Sequence, residues 1–294
     1  MRRRGMRSVR GWWATAVTLF VLAACARPAP GGSPTPEPSG GASPPGGNAL
    51  MLRVERYGGL AGPELTLGGI PMVSVYADGR VIAPGPQIMI YPGPALPNPQ
   101  VARIEDTKLG KLDALVRRAS DLVRSAGDLG RPSVADAPTT RITVGDHGTT
   151  RTLEVVGLFE ASPDDPRLSP AQRDARAELR AFADFVVQHS GAGGVETRAY
   201  RPTAVAALAR PYLRTNDDLG QPPMSWPGPA LPGDALGVRT GCVTVTGEAL
   251  AKVLAAAAKA NAGTPWTSGG QQWRVVFRPL LPDETGCADL GPTR

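Results

Sequence analysis

From Ala49 onward, the apolar positions along the chain follow two different periods. Leu50, Leu52 and Val54 alternate with more polar neighbours, which indicates a strand with one buried face. Two further stretches predict β-hairpins, 72–82 around Asp78-Gly79 and 141–156 around the turn 145–148, because such turns tolerate a positive φ. Additional strands are predicted over 101–105, at 243–245 and over 273–281.

Three segments carry the 3.6-residue period of amphipathic helices. They span 108–125, 169–189 and 248–261. The second helix has Ser169 at its N-cap and Pro170 at its first position, a common start signal. Its predicted apolar stripe consists of Ala175, Leu179, Phe182, Phe185 and Val186. Strand pairs joined by short turns and separated by helices predict an α+β fold with largely antiparallel sheets and three main helices.

A heptapeptide occurs twice with one change. Tyr91-Pro-Gly-Pro-Ala-Leu-Pro97 recurs as Trp226-Pro-Gly-Pro-Ala-Leu-Pro232, each time before a short strand and a helix. The repeat predicts two related strand–loop–helix–strand modules, 49–195 and 196–294, within one domain or two. Coincidence is the alternative, since all four repeated residue types are common here. Tyr91 and Trp226 are candidates for two binding loops, although aromatic residues beside prolines often only pack.

The first 25 residues combine a basic start, a short apolar run and a cysteine. Trp12–Ala24 holds thirteen residues interrupted only by two threonines, fewer than the roughly 20 that a membrane-spanning helix needs. These are the proportions of a signal peptide. The sequence Leu22-Ala23-Ala24-Cys25 resembles the lipobox of bacterial lipoproteins. The resemblance implies cleavage after Ala24, a signal peptide over 1–24, and a diacylglyceryl lipid on Cys25. An ordinary secretory signal and an uncleaved anchor are the alternatives.

Residues 25–48 are predicted to form a tether. Sixteen of the 23 residues in 26–48 are Pro, Gly or Ser, and the stretch has too few apolar side chains to fold. Chain statistics give it a mean span of roughly 25–30 Å. With the lipid on Cys25, the membrane becomes the first expected partner. The expected location is the outer, extracytoplasmic face of the cell membrane.

The charge distribution argues against nucleic-acid binding. The formal charge is +6, but five arginines before residue 25 account for most of it, and removing that segment leaves +1. A nearly neutral body attracts phosphates weakly, so no nucleic-acid partner is expected. Arginine outnumbers lysine 28 to 4, a composition typical of GC-rich bacterial genomes such as those of actinobacteria.

Two cysteines remain after Cys25. Cys242 and Cys287 form an even pair in a chain expected to be exported, and export favours oxidation. We therefore predict a disulfide between them. Two free thiols or a metal pair are the alternatives, although no nearby His or Cys completes a metal site.

Catalytic patterns are sparse. The chain has two histidines, and only His147, in a predicted hairpin turn, is a candidate base for a hydrolase. The acidic pairs Asp164-Asp165 and Asp217-Asp218 lack the spacing of a calcium loop and are expected to be solvated loop charges. We expect no cofactor and no metal. The sequence favours a non-catalytic envelope module with an unknown ligand or partner; an envelope hydrolase or an accessory solute receptor of a transporter is the alternative.

Overall fold

The computed structural model describes residues 46–104, 109–146, 149–189, 196–214 and 220–290. Within these ranges, seven strands form the first sheet: β1 Leu50–Tyr57, β2 Val73–Tyr76, β3 Arg80–Pro84, β4 Pro99–Arg103, β5 Thr139–Asp146, β6 Thr149–Val156 and β7 Arg198–Ala199. Their order is β6-β5-β1-β2-β3-β4-β7, and all neighbours are antiparallel.

The second sheet has six strands. They are β8 Val205–Pro211, β9 Met224–Ser225, β10 Asp234–Gly237, β11 Thr240–Val245, β12 Pro265–Ser268 and β13 Gln271–Pro279, in the order β10-β11-β8-β13-β12-β9. Only the short β12–β9 pair is parallel. The predicted α+β class with largely antiparallel sheets is confirmed.

In the described part of the chain, four α-helices accompany the sheets: α1 Pro63–Gly68, α2 Leu109–Ser125, α3 Pro170–His189 and α4 Gly247–Ala257. The three longer ones match the predicted helices. α2 and α3 cover one face of the first sheet in a core that includes Leu52, Val54 and Phe182. α4 covers the second sheet in a separate core around Trp266 and Phe277.

α3 begins with a reciprocal cap. The amide of Gln172 donates to Ser169 Oγ (3.2 Å), and the amide of Ser169 donates to Gln172 Oε1 (2.9 Å). This capping box satisfies two amides near the start of the helix. The predicted stripe holds for Leu179, Phe182 and Val186, which are buried. Phe185 was wrongly included, because it is half exposed and stacks on His189 near the helix end.

Segments of each module pack on the other module. α1 follows β1 in sequence but packs on β8 and β13, and a Cβ at Gly68 would clash with Val276 Cγ1. In the opposite direction, Leu281 packs against Tyr76 and Ile82 of the first sheet. Residues Ser43–Arg294 accordingly form one compact unit.

The heptapeptide repeat is followed by a strand and a helix in both modules, β4–α2 and β11–α4. The modules differ in how the hairpin after the helix joins the sheet. After α2, the first strand of the hairpin, β5, pairs with β1. After α4, the second strand of the hairpin, β13, pairs with β8. The similarity between the modules is therefore local.

The predicted tether overlaps the folded body by three residues. Gly46–Asn48 form a turn, and Arg80 donates to the Gly47 carbonyl (3.3 Å) and to Asn48 Oδ1 (2.6 Å). Residues 25–45 lie outside the described part of the chain.

Candidate functional site

The first sheet has one apolar face and one polar face. On β1, Leu52 and Val54 enter the core, while Arg53, Glu55 and Tyr57 point to the opposite side because successive side chains alternate. The same alternation on β5 and β6 adds Arg141, Thr143, Thr150, Thr152 and Glu154 to the polar face. Three neighbouring strands thus present a continuous surface of charged and hydroxyl groups.

The strand register places the side chains of this surface in rows that run across β1, β5 and β6. Glu55 lies opposite Arg141, which lies opposite Glu154. Arg141 donates to Glu55 Oε1 (3.3 Å) and to Glu154 Oε1 (2.8 Å), and its guanidinium lies 4.4 Å from the ring centre of Tyr57. The next row is Arg53–Thr143–Thr152.

The second module, together with α1, which packs on it, forms the opposite wall of a cleft, the intermodule cleft, with a volume of about 940 Å³. That wall contains α1, the β10–β11 hairpin and the C-terminal segment Leu281–Leu290. Its apolar lining residues are Leu67, Leu236, Val238 and Leu290. One wall is therefore polar and the other partly apolar, and the volume falls within the range typical of small-molecule sites.

A cluster of charged groups joins the two modules at this cleft. Arg53 donates to Asp283 Oδ1 (2.7 Å), and the Tyr76 hydroxyl donates to the same oxygen (2.8 Å). Arg278 donates to Glu284 Oε1 (2.8 Å), whose other oxygen accepts the backbone amide of Leu281. Side chains from both sheets and from the C-terminal segment are therefore locked together.

Burial controls the proton affinities within this cluster. It raises the pKa of Glu284, although Arg278 and Arg53 act in the opposite direction. Burial also lowers the pKa of Arg278, although the charge of Glu284 acts to raise it. For Arg53, burial also acts to lower the pKa, but Asp283, Tyr76 and Glu284 together raise it above its usual value.

Arg278 has one polar atom that the described residues leave unpartnered. Its side chain is 3% exposed, and its Nε has no hydrogen-bond partner in the described part of the chain. An unpaired buried donor is costly, and a bound acceptor group would satisfy it. Most charges in the cleft, by contrast, are paired with one another. The arrangement fits an uncharged or zwitterionic ligand rich in hydroxyl or amide groups better than a simple ion.

Of the residues singled out from the sequence, the cysteine pair is joined as expected. Cys242 and Cys287 form a disulfide with a Cα–Cα distance of 6.0 Å. The bond ties the C-terminal segment to β11. Since Asp289 and Leu290 line the cleft just after Cys287, the disulfide also holds part of its wall.

The two aromatic loop residues lie in different environments. Tyr91 is 80% exposed. Trp226 is buried in the second core, where its ring meets Trp266 edge-on at 5.6 Å, and its Nε1 donates to the Pro229 carbonyl (2.6 Å). The Trp226 ring is therefore a packing element, whereas a binding role for Tyr91 stays a prediction.

Asp165 is not the solvated charge that was expected. It is buried and accepts bonds from the Ser133 amide (2.7 Å), the Ser133 hydroxyl (2.9 Å) and the Arg167 amide (2.9 Å). The Ser133 amide is the main reason that the pKa of Asp165 is lowered. Ala24, Cys25, His147, Asp217 and Asp218 lie outside the described residues.

The cleft residues themselves were missed in the sequence, although a signal was present. Alternation in β1, β5 and β6 places Arg, Glu, Thr and Tyr on one face of three strands. Those strands become neighbours only through the pairing of β1 with β5, which sequence periodicity does not reveal.

No protein-family model, curated protein or solved structure matches this chain. None of the helices in the described ranges is long and apolar enough to cross a membrane. Within those ranges, no group of three or more His, Cys, Asp or Glu side chains is placed to hold a metal ion.

Proposed function

We propose that this protein is a lipid-anchored module of the bacterial cell envelope that binds a small polar ligand in the intermodule cleft. One observation carries the ligand-binding part. Apart from Arg53, which bonds to Asp283 of the second module, the polar face of the first sheet is left open over a cleft of about 940 Å³. A pre-formed cleft of this size, with polar groups that converge on one wall and apolar side chains on the other, is the usual setting of a small-molecule site.

The envelope location rests on the amino terminus and the disulfide. The Leu22-Ala23-Ala24-Cys25 sequence supports lipid attachment at Cys25, and the Cys242–Cys287 bond is of a kind that persists in oxidising compartments outside the cytoplasm. Two or more acyl chains give stable anchoring. Intact-mass analysis of the native protein should find Cys25 as the first residue, carrying acyl mass. A native chain that starts at Met1 without acyl mass would contradict the anchor.

The cleft favours the solute-receptor alternative over the hydrolase alternative. Its described lining contains no His, Ser or Cys. A catalytic general acid needs a raised pKa, and hydrogen bonding from Arg141 lowers that of Glu154. The pKa of Glu284 is raised by burial, but its two oxygens are bonded to Arg278 and to a backbone amide. A receptor that delivers its ligand to a transporter would use the same cleft, and His147 remains the candidate base for a hydrolase.

Ligand binding is testable with a pair of threonine variants. Thr152 is exposed on the cleft floor, and Thr267 is equally exposed on β12, outside the cleft lining. Native mass spectrometry of the protein purified from its own envelope should show a bound small molecule. Thr152→Trp should abolish that adduct by filling the cleft, while Thr267→Trp should retain it. Equal adducts on both variants would exclude the cleft as the binding site.

A further inference from the structure

The loop between β3 and β4 exposes a run of large apolar side chains. Ile88, Met89, Ile90 and Tyr91 are 62%, 99%, 59% and 80% exposed. Elsewhere in the described ranges, exposed large apolar residues occur only singly, as at Leu60. Isolated exposed apolar residues are ordinary, but a contiguous group marks an interaction surface.

The base of this loop is fixed on both sides. The Gly85 amide donates to the Asn98 carbonyl (2.7 Å), and the Asn98 side chain donates to the Pro86 carbonyl (2.8 Å). On the far side of the tip, the Ala262 amide donates to the Gly93 carbonyl (2.8 Å). The apolar tip, Ile88–Tyr91, is thus held outward by a fixed frame and has not collapsed onto the body.

The surrounding sequence is free of charge. From Val81 to Ala102, 22 residues in succession, there is no Asp, Glu, Lys, Arg or His. Desolvation of an ionised group is the largest cost of moving a protein segment into an apolar medium. This segment has no ionised side chain, so insertion of the tip does not carry that cost.

The size of the tip favours a lipid surface over a protein as its binding partner. The tip has four side chains, far fewer than the roughly 20–30 residues that each partner contributes to a standard stable protein interface. Binding to a lipid surface instead increases with the apolar area that is inserted, so a small group of apolar side chains already contributes. Tyr91 suits the boundary between acyl chains and headgroups, where tyrosine is enriched.

We propose that the Ile88–Tyr91 tip inserts into a lipid surface. Insertion would give the body a second contact with the bilayer and restrict its orientation there. The inference concerns the affinity of the loop itself for lipid, so it does not depend on ligand binding in the cleft. The proposed anchor on Cys25 would only bring the bilayer within reach.

The first test is photolabelling of the full chain in phosphatidylglycerol-containing vesicles that carry a diazirine lipid. Mass spectrometry should find lipid adducts within residues 86–98 and none at Leu60, which is similarly exposed elsewhere. Met89→Asp should reduce the adducts on this loop about tenfold, since aspartate enters lipid poorly. Leu60→Asp should leave them unchanged. Equal labelling in both variants would overturn the proposal.

A second measurement removes the contribution of the anchor. The body 46–294 contains every described helix and strand, both main cores and the disulfide, and it belongs to one compact unit. Without Cys25 it should still float with the same vesicles, and Met89→Asp should abolish flotation. Photo-methionine at position 89 in native envelopes should label lipid. Crosslinking of position 89 to a protein instead of lipid would overturn the proposal. Failure of the unsubstituted body 46–294 to float with the vesicles would also overturn it.

Discussion

The carboxylate of Glu284 is shared between two arginines of different sheets. Its side chain is 5% exposed and that of Arg278 is 3% exposed, and Arg53 Nη1 lies 3.7 Å from the same Oε1 atom that Arg278 contacts. Glu284→Ala would leave two buried guanidiniums partly uncompensated, which typically costs about 3–5 kcal/mol. We expect the free energy of unfolding, measured with urea, to fall by about 3 kcal/mol.

The control for this variant is Glu178→Ala, because Glu178 is an exposed glutamate of α3. A surface change of that kind should alter the free energy of unfolding by no more than about 0.5 kcal/mol. If both variants were equally stable, the charged cluster would not be joining the modules as described.

Glu154 leads to a prediction about pH. Hydrogen bonding from Arg141 lowers its pKa below the ordinary value of 4.5. The resulting stabilisation is complete above pH 4.5 and is lost as the pH falls through the lowered pKa of the folded state. In acid titrations of stability, Glu154→Gln should therefore be less stable than the parent at neutral pH, and the difference should shrink below pH 4.5. A difference independent of pH would contradict this assignment.

At the scale of elements, the start of α3 offers a test at a single position. Ser169 accepts the Gln172 amide, and Pro170 follows it. Ser169→Ala should lower the free energy of unfolding by about 1 kcal/mol, whereas Ser169→Gly should cost only a few tenths. Urea denaturation of both variants measures this difference. If Ser169→Ala caused no loss, the hydroxyl would not be capping the helix.

The sequence predicted the elements that carry their own local signals. α3 has a cap, a proline and a periodic stripe, and the 72–82 hairpin has Asp78-Gly79 at its turn. β8 was missed although it is the central strand of the second sheet. Its residues Val205–Ala209 are buried in succession and include three alanines, so they show neither alternation nor strong β-propensity. Tertiary pairing with β11 and β13 makes it a strand.

The candidate site was less predictable than the fold for a related reason. Arg53, Arg141 and Glu154 lie up to 101 positions apart in the chain, and each occupies the polar side of an ordinary alternating strand. Only the antiparallel pairing of β1 with β5 brings their rows together. Arg278 at the end of β13 and Glu284 in the C-terminal segment reach the same place because Leu281, which lies between them, packs on the first sheet. Long-range pairing of this kind leaves no local pattern.

At the scale of the whole molecule, the C-terminal segment connects the second sheet, the cleft and the first sheet. Leu281 packs on the first sheet, Asp283 and Glu284 join the charged cluster, and Cys287 is bonded back to β11. Stability and ligand binding should therefore respond together when this segment is released.

Removal of the disulfide tests that coupling. Cys242 and Cys287 are 45 positions apart, and closing a loop of that length stabilises the folded state by about 4 kcal/mol in the chain-entropy model. The double variant Cys242→Ala/Cys287→Ala should lose stability of that order in urea denaturation. Hydrogen exchange should accelerate most in residues 283–290, and the amount of co-purified ligand should fall even at temperatures where the fold persists. Faster exchange confined to β11, with the cleft ligand fully retained, would show that the disulfide supports the second sheet alone.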